Sequence, residues 1–517
     1  MFGPTIVNPT AGGLLGGTVY EGYGTGRCNC YFDHPYPWAF GPRFGFAYNV
    51  TPKTVIRGGW GVVYTSIPYG SLTGSAVGGV GINTISFTSL SPTLETPAAT
   101  LSQGLVYSQA ALTQANFLNP GFYPNSAGNP NPAAVNAPPF FVDPNADRPG
   151  RVHQFSFNLQ HQLLKNLLVE AAYVGNRGVW ENTNGLVALN DISAADLAAH
   201  GLSLSNPANL TLLTSAVGSA TAIAAGIKLP YAGYSTTQTV AQSLRPYPQF
   251  SSAINPTFAP LGNNWYDSLQ AKVTQRYSYG LTAQAAYTFS KEEATGQAIN
   301  DVYNRPNQKS LASYSQPNLF TLSFIYEVPL QKLPGGQQWL VKHIVSGWQF
   351  SSLLRYSSGA LIAVPGSQGN LNSLIFQSTR MNRVPGQPLF LVNPNCGCYN
   401  PYNQLILNPK AWADVPNGQW GYSAPYYNDY RAGRTPSEQA GLGRTFRPTE
   451  KVRLQVRIEF YNVFNRIIYG GGGITSSNPL ATPTTNSLGQ YTGGFGFQNP
   501  TGIGGERTGQ AVFRVDF

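Results

Sequence analysis

The chain has 517 residues and a net charge of +10, with only 10% charged side chains against 42% hydrophobic and 13% aromatic ones. Soluble domains carry about 25% charged residues and disordered chains are far less apolar, so neither an ordinary cytosolic enzyme nor an unfolded polypeptide fits this composition. Gly (57) and Pro (40) are abundant enough to predict many turns and long loops.

No stretch approaches the ~18 consecutive apolar residues of a membrane-spanning helix, so any membrane span must be a strand. The start, Met1-Phe2-Gly3-Pro4-Thr5, has neither the charged beginning nor the apolar core of a secretory signal. The expectation is that the protein either stays inside the cell or is a longer one whose true beginning this chain lacks. The four cysteines form two Cys-x-Cys pairs, Cys28 with Cys30 and Cys396 with Cys398. Zinc prefers two or more residues between paired ligands, so these read as disulfide candidates, their connectivity open, and no metal or cofactor is expected.

Along the chain the repeated signal is period-two alternation in runs of about ten residues, the mark of a membrane β-barrel. Phe44, Phe46, Tyr48 and Val50 alternate with small residues, turn at Thr51-Pro52-Lys53-Thr54, and resume at Ile56, Gly58, Trp60, Val62 and Tyr64. In the next hairpin Phe155, Phe157, Leu159, His161 and Leu163 alternate with Gln154, Ser156, Asn158, Gln160 and Gln162, then turn at Leu164-Lys165-Asn166. A third sets Leu269, Ala271 and Val273 against Gln270, Lys272, Thr274 and Arg276, with a turn at Tyr279-Gly280. Later runs lie at 320–328, 348–356 and 453–460, and the last places Ala511, Phe513, Val515 and Phe517 on one face. Soluble strands average about 5–6 residues, whereas a bilayer crossing takes about 9–11, and these runs are of the longer kind. Segments 66–150 and 182–264 far exceed the ~12–15 residues of an ordinary loop, with short helices expected at 194–200 and 209–217. Minimal turns at one end and long loops at the other predict an all-β, antiparallel transmembrane barrel with long extracellular loops, of about 12–14 strands.

The polar face carries Arg57, Glu170, Lys272, Arg276, Arg355, Arg453, Arg457 and Glu459. These are lumen-lining candidates that would attract anionic solutes, or pair across strands and hydrate the wall. Basic residues are scattered one by one along strands, which argues against a nucleic-acid partner despite a pI of ≈ 9.3. The five histidines, His34, His153, His161, His200 and His343, lack metal-ligand spacing. Glu292 and Glu293 are adjacent on a strand end and so point to opposite sides, and the glycine run 470–473 has no following Lys. No enzyme is expected.

Several segments resemble the barrel of the Oar-like TonB-dependent receptors. They are Pro42-Arg43-Phe44-Gly45-Phe46-Ala47-Tyr48, Thr54-Val55-Ile56-Arg57-Gly58-Gly59-Trp60-Gly61, Ala172-Tyr173-Val174-Gly175-Asn176, Arg245-Pro246-Tyr247-Pro248-Gln249-Phe250, Gly347-Trp348-Gln349-Phe350 and Arg457-Ile458-Glu459-Phe460-Tyr461-Asn462-Val463-Phe464-Asn465. The resemblance runs from about residue 41 to 517. It implies a barrel of roughly 22 strands closed around a plug, of which this chain, 1–517, would be the carboxy-terminal portion without plug or signal peptide. It also implies outer-membrane lipid as solvent and uptake of a large solute (a ferric chelate, vitamin or oligosaccharide). The partners would be the TonB energy-coupling complex, reached through the missing plug, and the barrel assembly machinery, which would read Phe513, Val515 and Phe517 as its signal. Two other readings stand beside it: a passive outer-membrane pore or surface adhesin on the same barrel, and a secreted β-rich carbohydrate-binding protein.

Overall fold

The computed structural model describes residues 1–19, 22–24, 28–31, 35–65, 100, 102, 133, 135, 138, 140–183, 185–296, 301–327, 346–369, 378–396, 398–447, 449, 452–469, 473–500, 503–504 and 506–517. His34, His343, residue 328, the glycines at 470–472 and most of segment 66–150 lie outside them. Among the described residues eleven long strands form the main sheet: β1 Arg43–Thr51, β2 Thr54–Tyr64, β3 Arg151–Leu164, β4 Leu167–Asn182, β5 Pro260–Ser278, β6 Leu281–Thr295, β7 Asn318–Glu327, β8 Trp348–Ser357, β9 Thr435–Phe446, β10 Arg453–Tyr461 and β11 Thr508–Asp516. Each pairs antiparallel with its neighbours in chain order, and the short strand Lys309–Leu311 on β6 makes a twelfth member.

The connections sort by end. Pro52-Lys53, Lys165-Asn166 and Tyr279-Gly280 are two-residue turns at one end, joined there by 328–347 and 447–452. Tyr279 and Gly280 have φ of 49° and 85°. Both central residues of that turn are left-handed, the form whose twist matches a hairpin. The connections 65–150, 183–259, 296–317, 358–434 and 462–507 all begin and end at the opposite end.

Directly paired residues share a face, and register ties the alternation of all strands together. One row on the outward face runs Tyr48, Ile56, Leu159, Ala171, Ala271, Tyr287, Phe320, Tyr356. Large apolar residues of this face stand in the open, among them Phe44 at 65%, Phe157 at 50% and Phe289 at 54% exposure. Such a continuous apolar surface is unstable in water and calls for lipid. Three glycines on it have an aromatic ring as their register partner: Gly58 opposite Phe46, Gly175 opposite Phe155 and Gly509 opposite Phe460. A Cβ at these glycines would lie 2.3, 2.6 and 2.8 Å from the ring, so the missing side chain is what lets each ring lie across its neighbouring strand.

The sheet has almost no core of its own. The buried clusters sit in the long connections, where segment 183–259 folds into helices α1 Ala194–Ala199, α2 Pro207–Thr214, α3 Ala220–Ala224 and α4 Val240–Ser243. Ser193 and Asp196 form a capping box on α1, and Asn206, Ser219 and Thr239 cap the other three. Trp420, from segment 358–434, packs against the cluster of Leu197, Leu213 and Val240, so two of the long connections share one core. A hairpin of Phe2–Asn8 and Leu14–Thr18 joins them through Phe2, which is fully buried against Phe141, Tyr247 and Phe250. Among the described residues no helix is long and apolar enough to cross a membrane.

Candidate functional site

The inner, polar face is the candidate site. The row Gln160, Glu170, Lys272, Ala286, Thr321, Arg355 crosses β3 to β8 in register. Within it Gln160 Nε2 donates to Glu170 Oε1, and Lys272 Nζ lies 3.2 Å from Glu170 Oε2. The carboxylate is therefore held from both sides by neighbours that the pleat places opposite it. On β10, Arg457 and Glu459 stand two residues apart on the same face at 2.8 Å. Glu459 also accepts from Gln510 Nε2 on β11, where Arg514 Nε donates to Asp516 at 2.8 Å. Arg453 sits opposite Asp516 in register.

Arg57, Arg276, Arg355 and Arg453 make no ion pair among the described residues, and all four are exposed. Register and alternation thus bring all eight sequence candidates to one face as two paired clusters with cations between and beside them. That face is concave. A hollow of ≈ 480 Å³ is lined on β5 to β10 by Thr274, Arg276, Gln284, Ser323, Gln439 and Glu459, and a second of ≈ 500 Å³ lies at Ala47, Arg57, Gly59, Ser156 and Asn158. Asn158 Oδ1, buried at the second hollow, has no hydrogen-bond partner among the described residues.

Two features escaped the sequence reading. Ile325 and Leu353 face the first hollow and are 50% and 46% exposed, so its floor is partly apolar. On β7 and β8 they are apolar exceptions among inward Thr321, Ser323, Ser351 and Arg355, so a period-two count passes over them. The outer sector carries a buried charge pair, Asp191 and Arg245, exposed by only 3% and 4%. Arg245 Nε donates to Gln242 Oε1 at 3.1 Å and its Nη1 to the Asn190 carbonyl at 3.2 Å, while both Asp191 carboxylate oxygens lack a hydrogen bond among the described residues. Burial pushes the Asp191 carboxyl up to about 7 against the pull of Arg245, and burial brings Arg245 down to about 9. The only sequence signal for this pair is the Arg245-Pro246-Tyr247-Pro248-Gln249-Phe250 run, which Asn190 ties down by accepting from the Tyr247 amide and donating to the Phe250 carbonyl.

The cysteines bond within each pair, Cys28 to Cys30 and Cys396 to Cys398. Phe513 and Val515 are exposed on β11, and Phe517 stands one residue beyond its end.

An antiparallel meander with a greasy outer face, a charged concave face and all long connections at one end is the architecture of an outer-membrane β-barrel wall. The chain belongs to the outer membrane beta barrel domain family, whose model matches residues 2–510, and its place is the cell outer membrane. No curated protein matches the sequence. Among solved structures it is similar to the ferric-catecholate import receptor Fiu of Escherichia coli K12, with 11% identity over 92% of this chain and 34% of that one and a TM-score of 0.33. A mutant of the ferric enterobactin receptor PfeA of Pseudomonas aeruginosa gives 8% identity over 92% and 40%, with a TM-score of 0.37. The outer membrane transporter YddB of Escherichia coli gives 9% over 92% and 40%, with a TM-score of 0.34. The chain spans between a third and two fifths of the length of these structures.

Proposed function

We propose that this chain is the carboxy-terminal part of the barrel of an Oar-like TonB-dependent receptor, whose inner wall passes a large anionic solute of the ferric-chelate, vitamin or acidic-oligosaccharide kind. The observation that carries the reading is the concave face, where Arg57, Arg276, Arg355 and Arg453, without an ion pair among the described residues, lie beside the two paired clusters. Strand parity supports the larger barrel. With eleven alternating strands, β1 and β11 both run from the long-connection end to the short-turn end, so joining their free edges would make a parallel pair in an otherwise antiparallel wall. Unpaired backbone groups are not tolerated in lipid, and an odd number of further strands, about eleven more for a barrel of about 22, restores the antiparallel order. Solute would be gathered by the long connections and released by a plug driven through the TonB complex, and the assembly machinery would recognise Phe513, Val515 and Phe517.

The test is the size and amino-terminal peptide of the native protein in the outer-membrane fraction, together with the conductance of the purified protein in a planar bilayer. The reading expects a product about twice this length that begins with a processed plug and conducts little. A native product beginning at Met1 with steady conductance would replace it by a passive pore, and recovery in the aqueous phase after detergent partitioning would replace it by a secreted protein.

A further inference from the structure

We propose that the Cys396–Cys398 disulfide, in the long connection between β8 and β9, is a thiol-exchange site that accepts a low-molecular-weight thiol at Cys398 and releases Cys396 as the leaving thiolate. The bond spans a single intervening residue, with a Cα–Cα distance of 5.1 Å. A cross-link gains stability from the length of chain it closes, so this one gains about the least a disulfide can. The backbone on either side is already fixed without it. Cys396 N donates to the Asn393 carbonyl at 3.0 Å, Tyr399 N to the Cys396 carbonyl at 3.3 Å, and the Arg434 amide to Asn395 Oδ1 at 2.8 Å. Tyr399 itself is buried in the core of that connection. The backbone flanking the bond therefore has ties that do not run through the sulfurs, and the bond is left free for chemistry.

The two sulfurs are not equivalent. Cys398 is exposed and Cys396 is half-buried, so an incoming thiolate meets Cys398 first. The Cys398 amide donates to Cys396 Sγ at 3.2 Å, a contact that gains strength as negative charge collects on that sulfur. In the exchange an external thiolate attacks Cys398 Sγ along the disulfide axis and the Sγ–Sγ bond breaks. A mixed disulfide forms at Cys398, and the departing electron pair stays on Cys396, which is then protonated by water. Exchange needs an accessible sulfur and a stabilised leaving thiolate, and this pair offers both. Cys28 and Cys30 are both half-buried, which makes that pair the internal reference.

The experiment uses the wild-type chain in outer-membrane vesicles, first treated with iodoacetamide, then with reduced glutathione, then with a second, isotopically distinct alkylating agent, and read by peptide mass spectrometry. The expected result is no alkylation in the first step, a glutathione adduct on Cys398 in excess of Cys396 by roughly tenfold, the second label on Cys396, and slower reaction at Cys28–Cys30. Labelling of Cys396 or Cys398 in the first step, an adduct shared equally between them, or reaction no faster than at Cys28–Cys30 would overturn the proposal. The outcome is independent of whether the barrel transports a solute, because no plug, energy source or ligand enters the reaction.

Discussion

The buried carboxyl of Asp191 makes the outer sector sensitive to pH, and the effect can be worked through. In the unfolded chain the group titrates near 3.8, and burial pushes it up to about 7 in the fold. The folded sector thus holds the proton more tightly than the unfolded one. Its stability is full below about pH 4, falls as pH rises through the interval between the two values, and is constant above about pH 7. A difference of about three units at about 1.4 kcal/mol each corresponds to about 4 kcal/mol, an upper value that local hydration reduces. Replacing Asp191 by Asn abolishes the titration but leaves a buried amide short of partners, at a cost of about 1–3 kcal/mol, so the slope rather than the absolute stability is diagnostic. The assay is hydrogen exchange of the amides of α1 and α4, corrected for the intrinsic pH dependence of exchange. Protection in the wild type should fall by up to about a thousandfold between pH 4 and 8, and in Asp191→Asn it should stay level. A level wild-type profile, or a variant that keeps the wild-type slope, would refute the argument.

The face assignment is tested by cysteine scanning: Leu159→Cys should resist a membrane-impermeant maleimide in intact outer membranes while Gln160→Cys reacts from the lumen, and equal reaction at both would reverse or abolish the assignment. Gly175→Ala places a Cβ 2.6 Å from the Phe155 ring and should lower barrel stability by about 1–3 kcal/mol, read as the temperature of heat modification on a gel, with Phe155→Leu restoring part of the loss. Glu438, 2% exposed, accepts from Tyr356 Oη at 2.8 Å and Arg466 Nε at 2.7 Å; Arg466→Ala should therefore cost about 2–4 kcal/mol in urea unfolding, while Arg466→Lys should recover some of it. Glu170→Gln leaves Lys272 without its carboxylate and should shift the anion preference of any conductance upward, a change that bilayer reversal potentials would detect.

What was legible in the sequence is what depends on near neighbours. A strand's side chains alternate whatever its partners are, so Phe157 against Asn158 or Val273 against Lys272 identifies both the strand and its faces. Two-residue turns fix register, and register then carries the face assignment from Gln160 to Arg355 across six strands without further information. The long connections follow no such rule. Their folding depends on pairs far apart in the chain: Phe2 with Phe250, Tyr247 Oη with the Pro4 carbonyl, Arg431 Nη1 with the Ser315 carbonyl. Helices such as α3 are too short to leave a periodic trace, so two expected helices were found near their places while the shared core that unites them with Trp420 was not.

The same contrast explains where function resides in this architecture. The wall is constrained on both sides, by lipid outside and by strand pairing within, so its charges fall where the pleat permits: Glu170 meets Lys272 because the β4–β5 register sets them opposite each other. The outer sector is constrained by its own packing, and it holds a carboxyl buried without a hydrogen bond among the described residues and a disulfide that closes almost no chain. Groups of that kind are costly to keep unless something uses them. On the readings proposed above, the wall would set charge and width for passage while the loops, through Asp191 and the Cys396–Cys398 bond, would respond to proton and thiol.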